Sequence, residues 1–213
     1  MNTETSSEMQ VETSPKGTSP LGPFLVVGLG NPGREYRYSR HNIGFMALDN
    51  LAGRLDVSFS RVQNRALVTD VRYLERKLIL AKPQTFMNLS GQAVDSLLRF
   101  YRIELENLLV VSDDIDLSTG SIRLRPAGGY GGQRGLQSII SRLGTNEFPR
   151  LRLGVGRPPG SMDPADYVLR KFNRDQTELL GQVLDEASDA ILAFIAEGIQ
   201  QAMTRFNRRF DDT

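Results

Sequence analysis

The run Phe24-Leu25-Val26-Val27-Gly28-Leu29-Gly30-Asn31-Pro32-Gly33 decides how the chain is read. Residues 24–27 are apolar and include two β-branched side chains, the make-up of a strand buried on both faces. The glycines at 28, 30 and 33 then turn the backbone tightly. Apolar residues at helical spacing resume at Ile43, Met46, Leu48, Leu51 and Leu55, so residues 43–55 are predicted to be helical. A buried strand, a glycine-rich turn and a helix open an α/β fold. Sites in such folds gather in the loops at the carboxyl ends of the strands.

The same glycines formally match a dinucleotide-binding pattern, and the context argues against it. That pattern needs a helix to open at its last glycine, where the backbone N–H groups hold a pyrophosphate. Gly33 is followed instead by Arg34-Glu35-Tyr36-Arg37-Tyr38-Ser39-Arg40-His41, which has no apolar period. The second strand ending in an acid about 20 residues on is also missing, and Asp49 falls inside the predicted helix.

Outward from this unit, residues 66–73 and 77–82 read as an antiparallel hairpin turning near 74–76. A helix over 89–101 follows, with Asn88 or Ser90 placed to cap it. Residues 108–111 form a strand running into an acidic loop at 113–116. Further strands are predicted at 121–125 and 150–155, the second with one face on the core. Helices are predicted at 131–143, 164–172 and 175–206, the last broken near Gly198. These alternate into a single three-layer α/β domain over 24–207, with a mixed, mostly parallel twisted sheet flanked by helices. Residues 1–23 read as a disordered tail with no apolar run for a signal peptide, and 208–213 as a short C-terminal tail. No segment approaches the ~20 apolar residues that span a bilayer. The expectation is a soluble, cytoplasmic protein.

Composition narrows the chemistry. The 213 residues include no Cys and one His. Disulfides, thiolate catalysis, Cys-containing metal sites and His-rich metal sites are therefore excluded. A neutral-pH imidazole base has to be His41. Net charge is +1, with 26 Lys+Arg against 25 Asp+Glu. Glu4, Glu8 and Glu12 against Lys16 give the N-terminal tail −2, which leaves about +3 for the remainder. Residues 120–160 hold seven arginines (Arg123, Arg125, Arg134, Arg142, Arg150, Arg152, Arg157) and one acid, Glu147. That imbalance is either a footprint for a polyanion or a solvated basic face.

Four further constellations can carry chemistry. His41 sits between polar Arg40 and Asn42 in a strand-to-helix loop, so it does not lie on an apolar core stripe. Ser112-Asp113-Asp114-Ile115-Asp116 fits a cation site, a turn with capping aspartates, or a carboxylate that orients a histidine, and spacing leaves all three open. Lys82-Pro83-Gln84-Thr85-Phe86-Met87-Asn88-Leu89-Ser90-Gly91 joins a strand to a helix; Phe86 and Met87 are either core or an exposed stacking surface beside Asn88. Gly128-Gly129-Tyr130-Gly131-Gly132-Gln133-Arg134-Gly135-Leu136 leads into a helix N-terminus, a place for an anion.

In this order the segments resemble the bacterial type of peptidyl-tRNA hydrolase. The match rests on residues 26–33, Tyr36, Arg40-His41-Asn42-Ile43-Gly44-Phe45, the run 82–91, Asp113, Asp116-Leu117, Gly120, the glycine-rich stretch ending at Gly135-Leu136, and Phe148-Pro149-Arg150-Leu151-Arg152-Leu153-Gly154-Val155-Gly156. The resemblance implies hydrolysis of the ester joining a peptide to the terminal ribose of tRNA, with no metal or cofactor, by a monomer. It implies that His41 is the base that activates water, that Asp113 orients it, and that Asn31 positions the peptidyl group. Tyr36, Phe86 and Asn88 would contact the 3′ end of tRNA, Met87 would line the same cleft, and Arg125 and Arg152 would hold acceptor-stem phosphate. Two departures stand out. Gln133-Arg134 replaces the family's usual His-Asn, and Ser112 replaces a frequent His. Arg134 is then either a substituted oxyanion or phosphate contact, or the mark of a non-catalytic RNA-binding relative of the same fold.

Overall fold

The computed structural model describes residues 22–207. The expected tails, 1–23 and 208–213, lie outside the described residues but for Gly22 and Pro23. The strands are β1 (Phe24–Gly28), β2 (Arg61–Gln63), β3 (Ala66–Tyr73), β4 (Arg76–Pro83), β5 (Leu108–Asp114), β6 (Ile122–Arg125) and β7 (Arg150–Gly154). The helices are α1 (Ile43–Arg54), α2 (Ser90–Tyr101), α3 (Arg134–Leu143), α4 (Pro164–Leu169), α5 (Arg174–Glu197) and α6 (Ile199–Phe206).

The strands form one seven-stranded sheet in the order β2-β3-β4-β1-β5-β7-β6. Its central strands β4, β1, β5 and β7 run parallel. The hairpin β3–β4, with β2 beyond it, and the outer strand β6 add antiparallel margins. Alternation along β1 divides the core in two, because successive side chains point to opposite faces. Phe24 and Val26 join the layer formed by α1, α5 and α6. Leu25 and Val27 join the layer formed by α2 and α3. The three-layer arrangement follows from that division.

Several local expectations change. Gly198 does separate α5 from α6, as the sequence suggests. Neither Asn88 nor Ser90 caps α2, because a 3₁₀ turn at Met87–Leu89 precedes it and Leu89 stands at the cap position. The Gly91 N–H instead donates to Ser138 Oγ of α3 at 3.0 Å, which leaves Asn88 exposed. Strand β5 runs on to Asp114, so Asp113 is a strand residue paired in register with Leu153. The helix expected over 164–172 ends at Leu169.

Two glycines bring α1 onto the sheet. A Cβ on Gly28 would lie 2.2 Å from the Gly44 carbonyl oxygen, and one on Gly44 would lie 2.5 Å from the Val111 carbonyl oxygen. Only bare backbone permits this approach. It seats the start of α1, and with it His41, against the carboxyl end of β5.

Candidate active site

The carboxyl ends of β1, β4 and β5 meet below the N-terminus of α3, around a cleft of about 560 Å³. Asn31 comes from the loop after β1, His41 from the 3₁₀ turn Arg40–Asn42, and Met87 from the turn after β4. Asp113 comes from the end of β5, and Gln133 and Arg134 from the head of α3.

His41 Nδ1 and Asp113 Oδ2 are 2.8 Å apart, with 11% and 3% of their side chains exposed. Burial by itself lowers the His41 pKa. The charge of Asp113 and its hydrogen bond overcome that and hold the ring above its ordinary 6.5, against an opposing push from Arg134. The other Asp113 oxygen, Oδ1, accepts from Gln133 Nε2 at 3.1 Å.

Asn31 is clamped. Its backbone N–H donates to Asn42 Oδ1 and its carbonyl accepts from Asn42 Nδ2, both at 2.9 Å. Its side-chain oxygen accepts from the Met87 N–H at 2.8 Å. The amide NH₂ of Asn31 has no partner among the described residues and borders the cleft. Arg40 and Asn42, the polar neighbours that flank His41, are both buried. Arg40 donates to the Lys171 carbonyl at 2.8 Å and to Gln176 Oε1 at 2.6 Å, and stacks 4.2 Å over Tyr167. Hydrogen bonding makes the burial of these groups tolerable, although Arg40 Nε has no partner among the described residues. They are structural struts on either side of His41.

The acidic run separates into distinct partnerships. Asp113 faces His41, Asp114 Oδ2 accepts from Arg152 Nε at 2.5 Å, and Asp116 pairs with Arg157 at 2.8 Å. Among the described residues no group of three or more His, Asp or Glu gathers into a ligand set. The Asp116 N–H also donates to Asp114 Oδ1 at 2.9 Å, a turn contact with a capping aspartate, while Asp113 is the aspartate placed against the histidine.

Phe86 and Asn88 also line the cleft, with Phe86 62% exposed and Met87 buried. Arg125 and Arg152 lie elsewhere, in an adjacent hollow of about 290 Å³ with Tyr130 and buried Arg150. Tyr36 sits in the turn Arg34–Tyr36 and does not line the cleft. The arginine-rich stretch is largely committed. Arg142 pairs with Asp95, Arg152 with Asp114 and Arg157 with Asp116. Arg150 donates to the Gly129 and Asn146 carbonyls, and its pKa is pushed down to about 10 by burial and Arg152. Arg123, Arg125 and Arg134 have no ion pair among the described residues. Sequence reasoning named Asn42 and Gln133 as motif positions and assigned neither a role in the site. Both act through backbone and carboxylate contacts that only the folded chain brings together.

Comparison with known proteins places the chain in a family. The model of a family described as peptidyl-tRNA hydrolase matches residues 25–213. The chain is 46% identical to a chloroplastic peptidyl-tRNA hydrolase of Arabidopsis thaliana over 92% of its own length and 69% of that protein's. It is 46% identical to a peptidyl-tRNA hydrolase of Desulforamulus reducens over 87% of its own length and 89% of that protein's. Among solved structures, a complex of peptidyl-tRNA hydrolase with N-propanol superposes with a TM-score of 0.83 at 32% identity, covering 92% of this chain and 100% of the other. With a family match over nearly the whole described domain and this superposition, the chain belongs to the peptidyl-tRNA hydrolase family.

Proposed function

We propose that the protein hydrolyses the ester between peptide and tRNA in peptidyl-tRNA, recycling tRNA from aborted translation, with His41 as the general base. The observation that carries this is the 2.8 Å contact between His41 Nδ1 and Asp113 Oδ2 at the edge of the cleft. A carboxylate accepts and does not donate, so it keeps the ring proton on Nδ1 and leaves the Nε2 lone pair for a water. Nε2 takes the water's proton as its oxygen attacks the ester carbonyl. The C–O bond to the ribose then breaks, the proton passes to the ribose oxygen, and His41 is neutral again. Asp113 stabilises the imidazolium in between. The unpartnered Asn31 amide NH₂ supports a role in holding the peptidyl carbonyl, with Asn88 and Arg134 as further donors to the developing oxyanion.

Substrate contacts follow the surface. Exposed Phe86 offers a stacking face and Asn88 a polar one for the 3′ end of tRNA, with Met87 below and Tyr36 nearby in sequence to the base. The hollow with Arg125 and Arg152 suits acceptor-stem phosphate. Such contacts bind without reading sequence, which suits an enzyme that accepts many tRNAs. The proposed enzyme acts as a monomer in the cytoplasm. Among the described residues no helix is long and apolar enough to cross a membrane.

The test is release of tRNA from purified peptidyl-tRNA. Wild type is expected to exceed His41→Ala by about 10²–10⁴-fold, the range a positioned general base supplies. Equal rates would overturn the enzyme reading in favour of RNA binding without catalysis. Arg134→Asn is expected to change the rate by less than His41→Ala does, and its rescue of an inactive wild type would point the same way.

A further inference from the structure

We propose that Gln133 is a positioning residue for the His41–Asp113 pair, transmitting the orientation of the α3 backbone to the base. An amide side chain has one accepting end and one donating end. The Leu136 N–H in the first turn of α3 can only donate, and Gln133 Oε1 accepts it at 2.8 Å. That contact fixes which way the amide faces. Its Nε2 must then point away from the helix, where it donates to Asp113 Oδ1 at 3.1 Å and meets Met87 Sδ at 3.3 Å.

Gln133 and Asp113 are buried, so water offers no substitute partner. With Oδ1 occupied, Asp113 presents Oδ2 to His41 Nδ1 at 2.8 Å. The ring is therefore locked in the tautomer whose free lone pair faces the cleft. Space for the amide is reserved by Gly135, where a Cβ would lie 2.9 Å from Gln133 Oε1 and 2.5 Å from Met87 Sδ. A neutral amide does this without titrating. The charged groups acting on His41 are Asp113 of β5 and Arg134 of α3. Asp114 and Asp163 line the same cleft, but Asp114 is paired with Arg152 and Asp163 caps α4 through the Ala165 N–H.

This inference rests on the esterase reading only for its kinetic measurement. The chain's single His makes its ring nitrogen NMR signals belong to His41 alone. Gln133→Ser keeps a good helix cap but is too short to reach Asp113. It is expected to mix the His41 tautomers and to lower kcat by about tenfold, a part of what a positioned base supplies, with KM little changed. Gln133→Glu keeps an acceptor for Leu136 but sets a second carboxylate beside Asp113. Two carboxyls this close share one proton, so it is expected to shift the His41 titration and to move the acid limb of kcat/KM in step with it. His41 signals like those of wild type in both full-length variants would overturn the proposal, even if kcat fell in step with thermal stability, since Gln133 would then be a helix cap only. An inactive wild type whose His41 signals respond as described would overturn the esterase reading and leave the positioning role standing.

Discussion

Burial strips the His41 imidazolium of water, and Asp113 more than restores its stability, so the ring keeps its proton above pH 6.5. As the proposed base, His41 works only when neutral. kcat/KM is therefore expected to fall as pH drops through a value above 6.5, and rate profiles over roughly pH 5 to 9 read this directly. Stability has the opposite sign. A pKa raised by folding contributes stability that is fully present below the unfolded value of about 6.5 and is lost as pH rises through the folded value. In the window between the two values the enzyme gains activity while it loses that contribution, and denaturation midpoints over the same range measure the second half. His41, Asn31 and the acidic run were legible as residues, because composition left one imidazole and the loops carried the motifs. Which aspartate meets the histidine was not. That depends on β5 running on to Asp114, with Asp113 in register with Leu153, and pairing register is a property of the neighbouring strand. Gln133 was hidden for the same reason, since its partners are 20 residues away at Asp113 and 46 away at Met87.

Elements, more than residues, hold the cleft open at its working width. Helix α1 touches the sheet through Gly44, whose missing Cβ leaves room for the carbonyls of Leu29 and Val111. Gly44→Ala is expected to push α1 off β5, cost about 1–3 kcal/mol by overpacking, and separate His41 from Asp113. Chemical denaturation gives the first effect and tRNA release the second. A variant with wild-type stability would show that the contact is slack. Long apolar elements such as β1, β4 and α5 were readable because their burial pattern lies in their own residues. Strand β2 was not, being three exposed or half-buried residues, Arg61–Gln63, held by pairing with β3. The cap of α2 was misjudged because it comes from Ser138 on another helix, and a local rule cannot see a cap supplied from a distance.

Over the whole molecule, charge is arranged and not abundant. The seven arginines of residues 120–160 looked like one footprint. Folding ties Arg142, Arg152 and Arg157 to aspartates and buries Arg150, which leaves half-buried Arg123 and exposed Arg125 and Arg134 without an ion pair among the described residues. Arg125→Ala is accordingly expected to weaken tRNA binding at low salt and to reduce the slope of log affinity against log salt by about 0.7–0.9, the release expected for one lost phosphate contact. Binding titrations across salt concentrations check it, and an unchanged slope removes Arg125 from the interface. The strand order has a consequence for synthesis. Strand β1 is made first yet lies between β4 and β5, and His41 waits 72 residues for Asp113. At the ribosome's pace of about 5–20 residues per second, that wait is roughly 4–14 s. During it, the emerging chain carries an uncovered apolar strand and no assembled base. The proposed catalytic pair of an enzyme that acts on translation products is thus incomplete until just over half of its own chain has been made.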